Sequence, residues 1–184
     1  ISNNDWNISI QALEDKLIQS KKINKLPKVL ISVHFTGQPT IQEKIWKLAK
    51  KYKFKIIEDA SHSLGAKRNN IKVGSCKWSD ITIFSFHPVK IITSGEGGMV
   101  TTNNSLIYRK LCMYRNHGIN RLKSQFTTKS KYDGDWYFEQ QTLGYNYRMT
   151  DIHAALGISQ LSRIHKIVSD RNKVANLYYN LLEG

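Results

Sequence analysis

Cysteine and proline are both scarce in this chain of 184 residues, with two of the first and three of the second. Cys76 and Cys112 stand alone, outside any CxxC spacing, which argues against a thiolate metal site and against a disulfide framework. Repeats and low-complexity tracts are missing as well. No apolar run approaches the roughly 20 residues of a membrane-spanning helix. The opening residues, Ile1-Ser2-Asn3-Asn4-Asp5, carry no initiator Met and no basic-then-apolar signal pattern, so we expect a cytoplasmic protein. Neither end has the look of a domain boundary. Residues 176–184 (NLYYNLLEG) are still helical in pattern, and the expectation is one piece of a longer protein.

Acidic residues are also few: 14 Asp and Glu face 28 Lys and Arg, a net charge of +14. Such a balance suits nucleic-acid binding. Its distribution argues otherwise, because lysines such as Lys44, Lys47, Lys50, Lys51 and Lys53 are strewn over helical stretches rather than gathered on an aromatic-laced patch. A solvated surface explains them, and an anionic small substrate needs only a few. We therefore expect neither a nucleic-acid partner nor a membrane.

What is present is an alternation of strands and helices over a length that suffices for one core. Residues 11–19 read as a short amphipathic helix. Residues 28–35 (KVLISVHF) are a β-branched apolar run of the kind found in buried parallel strands. Thr40 and Glu43 have capping-box spacing, and Ile41, Ile45, Leu48, Ala49 and Tyr52 fall on one face of the helix that follows. Further strands are expected at residues 55–58, 80–86 and 98–102, and a helix at 105–115 with Gly118 closing it. A long polar loop then runs over residues 119–147. Thr150 is expected to cap a helix over 151–164, with another over 169–182. The fold class is α/β: a mostly parallel sheet flanked by helices on both faces. In such sheets ligands collect at the carboxyl ends of the strands.

Polar motifs fall at those ends. Asp59 closes a strand; it is either a turn or cap aspartate or a ligand-facing carboxylate, and the small and polar residues after it, Ala60 to Ala66, favour the second. Lys90 follows the strand that ends in FSFHP. It is either a snorkelling surface lysine or a desolvated amine. Val89, Ile91 and Ile92 favour the amine, because loss of solvation lowers an amine's pKa and only the neutral form attacks a carbonyl. Ser94-Gly95-Glu96-Gly97-Gly98 is a turn that admits close backbone approach. In Gly144 to Asp151, Asn146 and Arg148 precede a helix start. They suit an anionic group, or equally a plain surface loop.

Taken together, EDASHSLGA (58–66), FSFHPVK (84–90), GEGGMVTTN (95–103), YRNHGI (114–119) and LGYNYRMTDIHAALGISQL (143–161) resemble the DegT/DnrJ-type sugar aminotransferases of the aspartate-aminotransferase fold type. The resemblance implies pyridoxal 5'-phosphate (PLP) as cofactor and Lys90 as its Schiff-base lysine and proton carrier. Asp59 would pair with the pyridinium nitrogen, His62 lie near the ring by its 3′ oxygen, and Ser85 donate to the phosphate. Asn146 would reach the cofactor phosphate of a neighbouring copy in a homodimer. Arg148 and His87 are weaker candidates for substrate contact, His87 as packing near the lysine. Relatives that act as sugar dehydratases carry His at the lysine position, so Lys90 favours transamination.

His62 in the ASH triplet, with FSFHPVKIIT and GYNYRMTD, resembles the transaminases of pseudaminic-acid synthesis. These aminate a UDP-linked 4-keto-6-deoxy-N-acetylhexosamine with L-glutamate. The same resemblance implies that residues 1–164 are part of a large PLP-binding domain incomplete at both ends. Residues 165–184 would be a helix leading towards a small C-terminal domain outside this chain. The alternatives are a family fragment that keeps the fold without turnover and, behind it, a basic nucleic-acid-binding module.

Overall fold

The computed structural model describes residues 1–128 and 134–182. The chain folds as two compact units, Ile1–Asn103 with Asp151–Gly184, and Asn104–Thr150. In the first, helix α1 (Ile10–Lys22) starts at Ser9, whose hydroxyl accepts from the Ala12 N–H, and it ends on Lys21 and Lys22, which suit the negative end of its dipole. Strand β1 (Val29–Val33) leads into a 3-10 turn, Phe35–Gly37. The strand stops short of the expected residue 35 because Thr36 and Gly37 both take positive φ.

Helix α2 (Gln42–Tyr52) buries Ile45, Leu48, Ala49 and Tyr52, as the helical period of the sequence requires. The expected capping box does not form. Thr40 is buried, and its hydroxyl donates to the Gln42 Oε1 at 2.6 Å instead of capping; Glu43 reaches Arg68 and Asn69 rather than back to the cap. Strand β2 (Lys55–Asp59) follows. A small hairpin, β3 (Lys67–Arg68) and β4 (Ile71–Lys72), then turns through Asn69 and Asn70, both at positive φ as such a turn demands. Strands β5 (Ile81–Ser85) and β6 (Gly98–Thr101) complete a four-stranded sheet of order β1-β2-β5-β6. β1, β2 and β5 are parallel; β6 returns antiparallel to β5.

The register places Leu30, Ser32, Ile56, Glu58, Thr82 and Phe84 on one face of the sheet. Leu30 and Ile56 pack there with Leu17 of α1 and the apolar face of α2 in the main core. The α/β class with a mostly parallel sheet is as expected, and the opposite face is the more open of the two. Among the described residues Val29, Ile31, Val33, Ile83 and Val100 lie exposed there. Ile56 is 0% exposed at the centre of the covered face. Ile56→Ala leaves a cavity and lowers stability by about 2–5 kcal/mol, read as a fall in denaturant midpoint at unchanged slope.

The second unit holds α3 (Ser105–Tyr114), started by Asn104, whose Oδ1 accepts from the Leu106 and Ile107 N–H groups. Strands β7 (Ile119–Asn120) and β8 (Glu139–Gln140) pair antiparallel inside the stretch expected to be loop. Residues 129–133 of that stretch lie outside the described residues. Helices α4 (Asp151–Leu161) and α5 (Ile164–Leu182) belong to the first unit. α5 begins five residues before the expected start at 169; residues 183–184 lie outside the described residues. Both cysteines are free, and no described helix is long and apolar enough to cross a membrane.

Candidate active site

β2 and β5 are parallel neighbours, so their carboxyl ends reach the same sheet edge. Asp59 is the last residue of β2 and Ser85 the last of β5. Asp59 is in register with Ile83, so alternation puts the side chains of Asp59 and Ser85 on the same, open face. The Asp59 Oδ1 accepts from the Ser61 N–H at 3.1 Å and the Ser61 hydroxyl at 2.7 Å. This is a turn-type arrangement, yet Oδ2 has no hydrogen-bond partner among the described residues. The Ser85 hydroxyl oxygen accepts from the His87 N–H at 3.4 Å, which leaves its own proton to donate elsewhere.

Beyond these strand ends the two loops converge. The Lys90 Nζ lies 2.7 Å from the His62 Nε2, a hydrogen bond whose direction depends on which of the two carries the proton. The apolar burial expected for Lys90 is not found. Lys90 is part-exposed and Val89 is 75% exposed; of its apolar neighbours only Ile92 is buried. The group beside the amine is an imidazole, not a hydrocarbon wall. His87 sits three residues before the lysine. It is exposed, its Nδ1 accepts from the Val89 N–H and its carbonyl accepts from the Lys90 N–H, so it shapes the turn that carries the lysine.

His62 and Lys90 open onto a cleft of about 940 Å³. Residues 62–67 form one wall. The other is a face of α5, with Ile164, His165, Val168, Arg171, Ala175 and Tyr179 at helical spacing. Asp59, Ser85 and His87 are not part of its lining. Lys67, Lys90 and Arg171 line it and, among the described residues, no carboxylate does, which favours an anionic occupant. Sequence reading passed over Arg171 and His165. The period of Ile164, Val168, Ala175 and Tyr179 was the available signal, but it marks a covered face without saying what faces it. Among the described residues no three His, Cys, Asp or Glu side chains gather as a metal site.

Asn146 and Arg148 lie in the second unit. There, residues 145–147 run beside the end of α3: the Tyr145 N–H donates to Tyr114 O, the His117 N–H to Tyr145 O, and the Tyr147 N–H to Arg115 O, each at 2.9 Å. The two motifs YRNHG and GYNYR are thus one paired structure. The Arg148 guanidinium donates to Asn116 Oδ1 at 2.5 Å, and the Asn146 Oδ1 accepts from the Arg148 N–H at 3.4 Å. Tyr145 and Tyr147 stack with ring centres 5.4 Å apart.

A third feature of this unit is Glu139. Burial pushes its carboxyl up, but hydrogen bonds from the Thr127 and Thr128 N–H groups, Gln141 and the Thr127 hydroxyl outweigh that and hold its pKa at about 2, against an ordinary 4.5. A depressed carboxyl stabilises the fold in full above its unfolded value and loses that stabilisation as pH falls through its folded value. Slow exchange of the Thr127 and Thr128 amides is therefore expected to persist at pH 4.5 and to fail as the pH approaches 2. Exchange measured by NMR at a series of acid pH values checks this.

Known proteins resemble the chain over its whole length. The sequence pattern of the DegT/DnrJ/EryC1/StrS aminotransferase family matches residues 1–184. The UDP-4-amino-4,6-dideoxy-N-acetyl-beta-L-altrosamine transaminase of Campylobacter jejuni serotype O:2 is 39% identical over 176 residues, which is 95% of this chain and 42% of that protein. Among solved structures, Helicobacter pylori PseC, an aminotransferase involved in the biosynthesis of pseudoaminic acid, superposes with a TM-score of 0.83 at 34% identity. That match covers 99% of this chain and 44% of PseC. Spr1654 of Streptococcus pneumoniae, a candidate sugar aminotransferase solved in its PLP-form, gives a TM-score of 0.78 at 26% identity, over 98% of this chain and 46% of its own. The chain spans under half the length of these relatives.

Proposed function

The chain belongs to the DegT/DnrJ/EryC1/StrS aminotransferase family, and from that premise we propose that the full-length protein is a PLP-dependent transaminase of a nucleotide-linked keto sugar, with L-glutamate as amino donor. The 4-keto-6-deoxy-N-acetylhexosamine class linked to UDP is the reading favoured by the altrosamine transaminase and PseC as relatives.

One observation carries the proposal: a lysine amine and an imidazole 2.7 Å apart, set just beyond the strand ends that carry Asp59 and Ser85. These residues suit PLP. Oδ2 of Asp59 is a carboxylate oxygen with no partner among the described residues, and this reading gives it a protonated ring nitrogen to hold. The Ser85 hydroxyl has a proton left for a phosphate oxygen. When bound, PLP supplies a carbonyl that captures amines and a cationic ring that withdraws electrons.

The residues of the chain do the rest. Lys90 offers the nucleophilic amine, and once displaced by the donor it moves a proton at the reacting carbon. His62 holds that amine in place and shares its proton. Asp59 keeps positive charge on the ring nitrogen. Lys67 and Arg171 attract an anionic substrate into the cleft. Asn146 contacts the cofactor phosphate held by a second copy of the chain, and Arg148 a substrate phosphate or carboxylate, in a homodimer with shared sites.

The test is to incubate the full-length protein with PLP, L-glutamate and a panel of UDP- and dTDP-4-keto sugars, and to identify products by mass spectrometry and NMR. An aminated UDP-sugar is the expected outcome. A protein that takes up no PLP, or that takes it up and aminates none of the panel, overturns the reading.

A further inference from the structure

Directly behind Asp59, on the covered face of the sheet, lies a buried acid that the proposed chemistry does not use. Glu58 is buried, and its carboxylate accepts from every neighbour it touches: the Ser79 hydroxyl, the Thr82 hydroxyl at 3.1 Å and the His34 ring at 2.8 Å. His34 is 1% exposed, and its tautomer follows from its contacts. Nδ1 accepts from the Thr40 N–H at 3.1 Å, so the ring proton sits on Nε2 and points at Glu58 Oε2. The backbone N–H of the same residue donates to the Asp59 carbonyl at 3.0 Å. One residue thus grips two consecutive positions of β2, the side chain of 58 and the peptide of 59. From the other side Thr82 of β5 holds the same carboxylate, and the Ala60 N–H donates to Ile83 O at 2.9 Å.

We propose that His34 is a positioning residue for Asp59: through Glu58 it fixes the rotation of the last residues of β2 and so aims the Asp59 carboxylate at the ring nitrogen of a bound cofactor. This rests on the reading of the site given above. The mechanical reason is the pleat. Glu58 and Asp59 point to opposite faces, so any roll of the strand end that swings Asp59 must also pull Glu58 away from His34, Ser79 and Thr82. A buried carboxylate resists that strongly, because a lost partner leaves it unsatisfied.

Two substitutions separate the two ring nitrogens. His34→Gln can place an N–H where Nε2 was and keep the bond to Glu58. His34→Asn can place an oxygen where Nδ1 was, keeping the Thr40 bond and losing Glu58. In the full-length protein without cofactor, His34→Asn is expected to speed exchange of the Ser61 amide, which bonds to Asp59 Oδ1, by about tenfold, while the Ile45 amide of α2 is unchanged. Loaded with PLP labelled at the pyridine nitrogen, the same variant is expected to move that nitrogen's NMR resonance towards the unprotonated position. It also lowers kcat by about tenfold with little change in KM for the donor. His34→Gln is expected to stay near the parent in all three readouts.

Equal behaviour of the two variants, whether both normal or both impaired, overturns the proposal. If the parent protein takes up no PLP while the exchange difference appears, the cofactor reading fails and the clamp on Asp59 stands. Should His34→Asn not fold, Ser79→Ala removes a different donor to Glu58 and must shift the Ser61 exchange and the nitrogen resonance the same way; no shift there overturns the clamp.

Discussion

Lys90→Ala in the full-length protein is expected to abolish amino transfer while leaving the fold intact. In the proposed mechanism the amine is nucleophile and proton carrier, and losing proton transfer alone costs on the order of 10²–10⁴ in rate. Losing covalent capture of the cofactor adds to that. The fold should not notice. Lys90 is part-exposed and, among the described residues, its side chain makes one hydrogen bond, to His62; its backbone N–H to His87 O is untouched by the change. A surface change of this sort alters stability by about 0.5 kcal/mol or less. The expected result is a protein with the parent's melting temperature and no absorbance band from lysine-bound PLP. His62→Ala is the informative companion. Because the amine remains, the band should form, with slower turnover at a neutral pH. A Lys90→Ala protein that still transfers amino groups removes the lysine from the chemistry and the proposed mechanism with it.

The order of strands and helices was legible because burial imposes periods on the chain. Ile45, Leu48, Ala49 and Tyr52 announce the covered face of α2, and β1, β2 and β5 announce themselves as β-branched runs. The end positions of Asp59 and Ser85 followed from where those runs stop. What the sequence hid was tertiary in origin. Thr40 has a capping residue's chemistry, but it is buried beside Gln42, and a buried hydroxyl takes the nearest acceptor. Apolar neighbours in sequence suggested a buried Lys90, yet Val89 turns to solvent and the group that matters to the amine, His62, comes from another strand end. The antiparallel return of β6 had a local sign. The connection from β5 contains Gly95 and Gly97, both at positive φ, and no helix that a parallel crossover would use. His34 and Glu58 are 24 residues apart, and nothing local in the sequence says that the two are buried against each other.

Gly37→Ala is expected to damage the site without replacing any residue of the proposed chemistry. Gly37 sits at φ 93°, where an L side chain is strained, and a Cβ there would lie 2.6 Å from the His62 carbonyl oxygen. Something must move, and the surroundings decide what. The turn is held by Asn7, a buried side chain whose Oδ1 accepts from the Phe35 N–H at 2.9 Å and whose Nδ2 donates to Gln38 O at 3.0 Å. The Gly37 N–H also donates to His34 O at 3.1 Å. With the turn pinned on both sides, the displacement falls on the backbone of His62, whose ring must stay 2.7 Å from the Lys90 amine. Backbone strain of this kind costs about 1–3 kcal/mol, a fall in melting temperature of about 2–4 °C for each kcal/mol in a chain of this size. Weaker PLP loading should accompany it. The two effects separate in a cycle with Asn7→Ala. Freeing the turn lets it absorb the clash, so in that background Gly37→Ala should cost less loading than it does alone, a coupling expected only of residues that share one strained contact. Full PLP loading and an unchanged melting temperature for Gly37→Ala would mean that the turn yields easily and that His62 is not held from below.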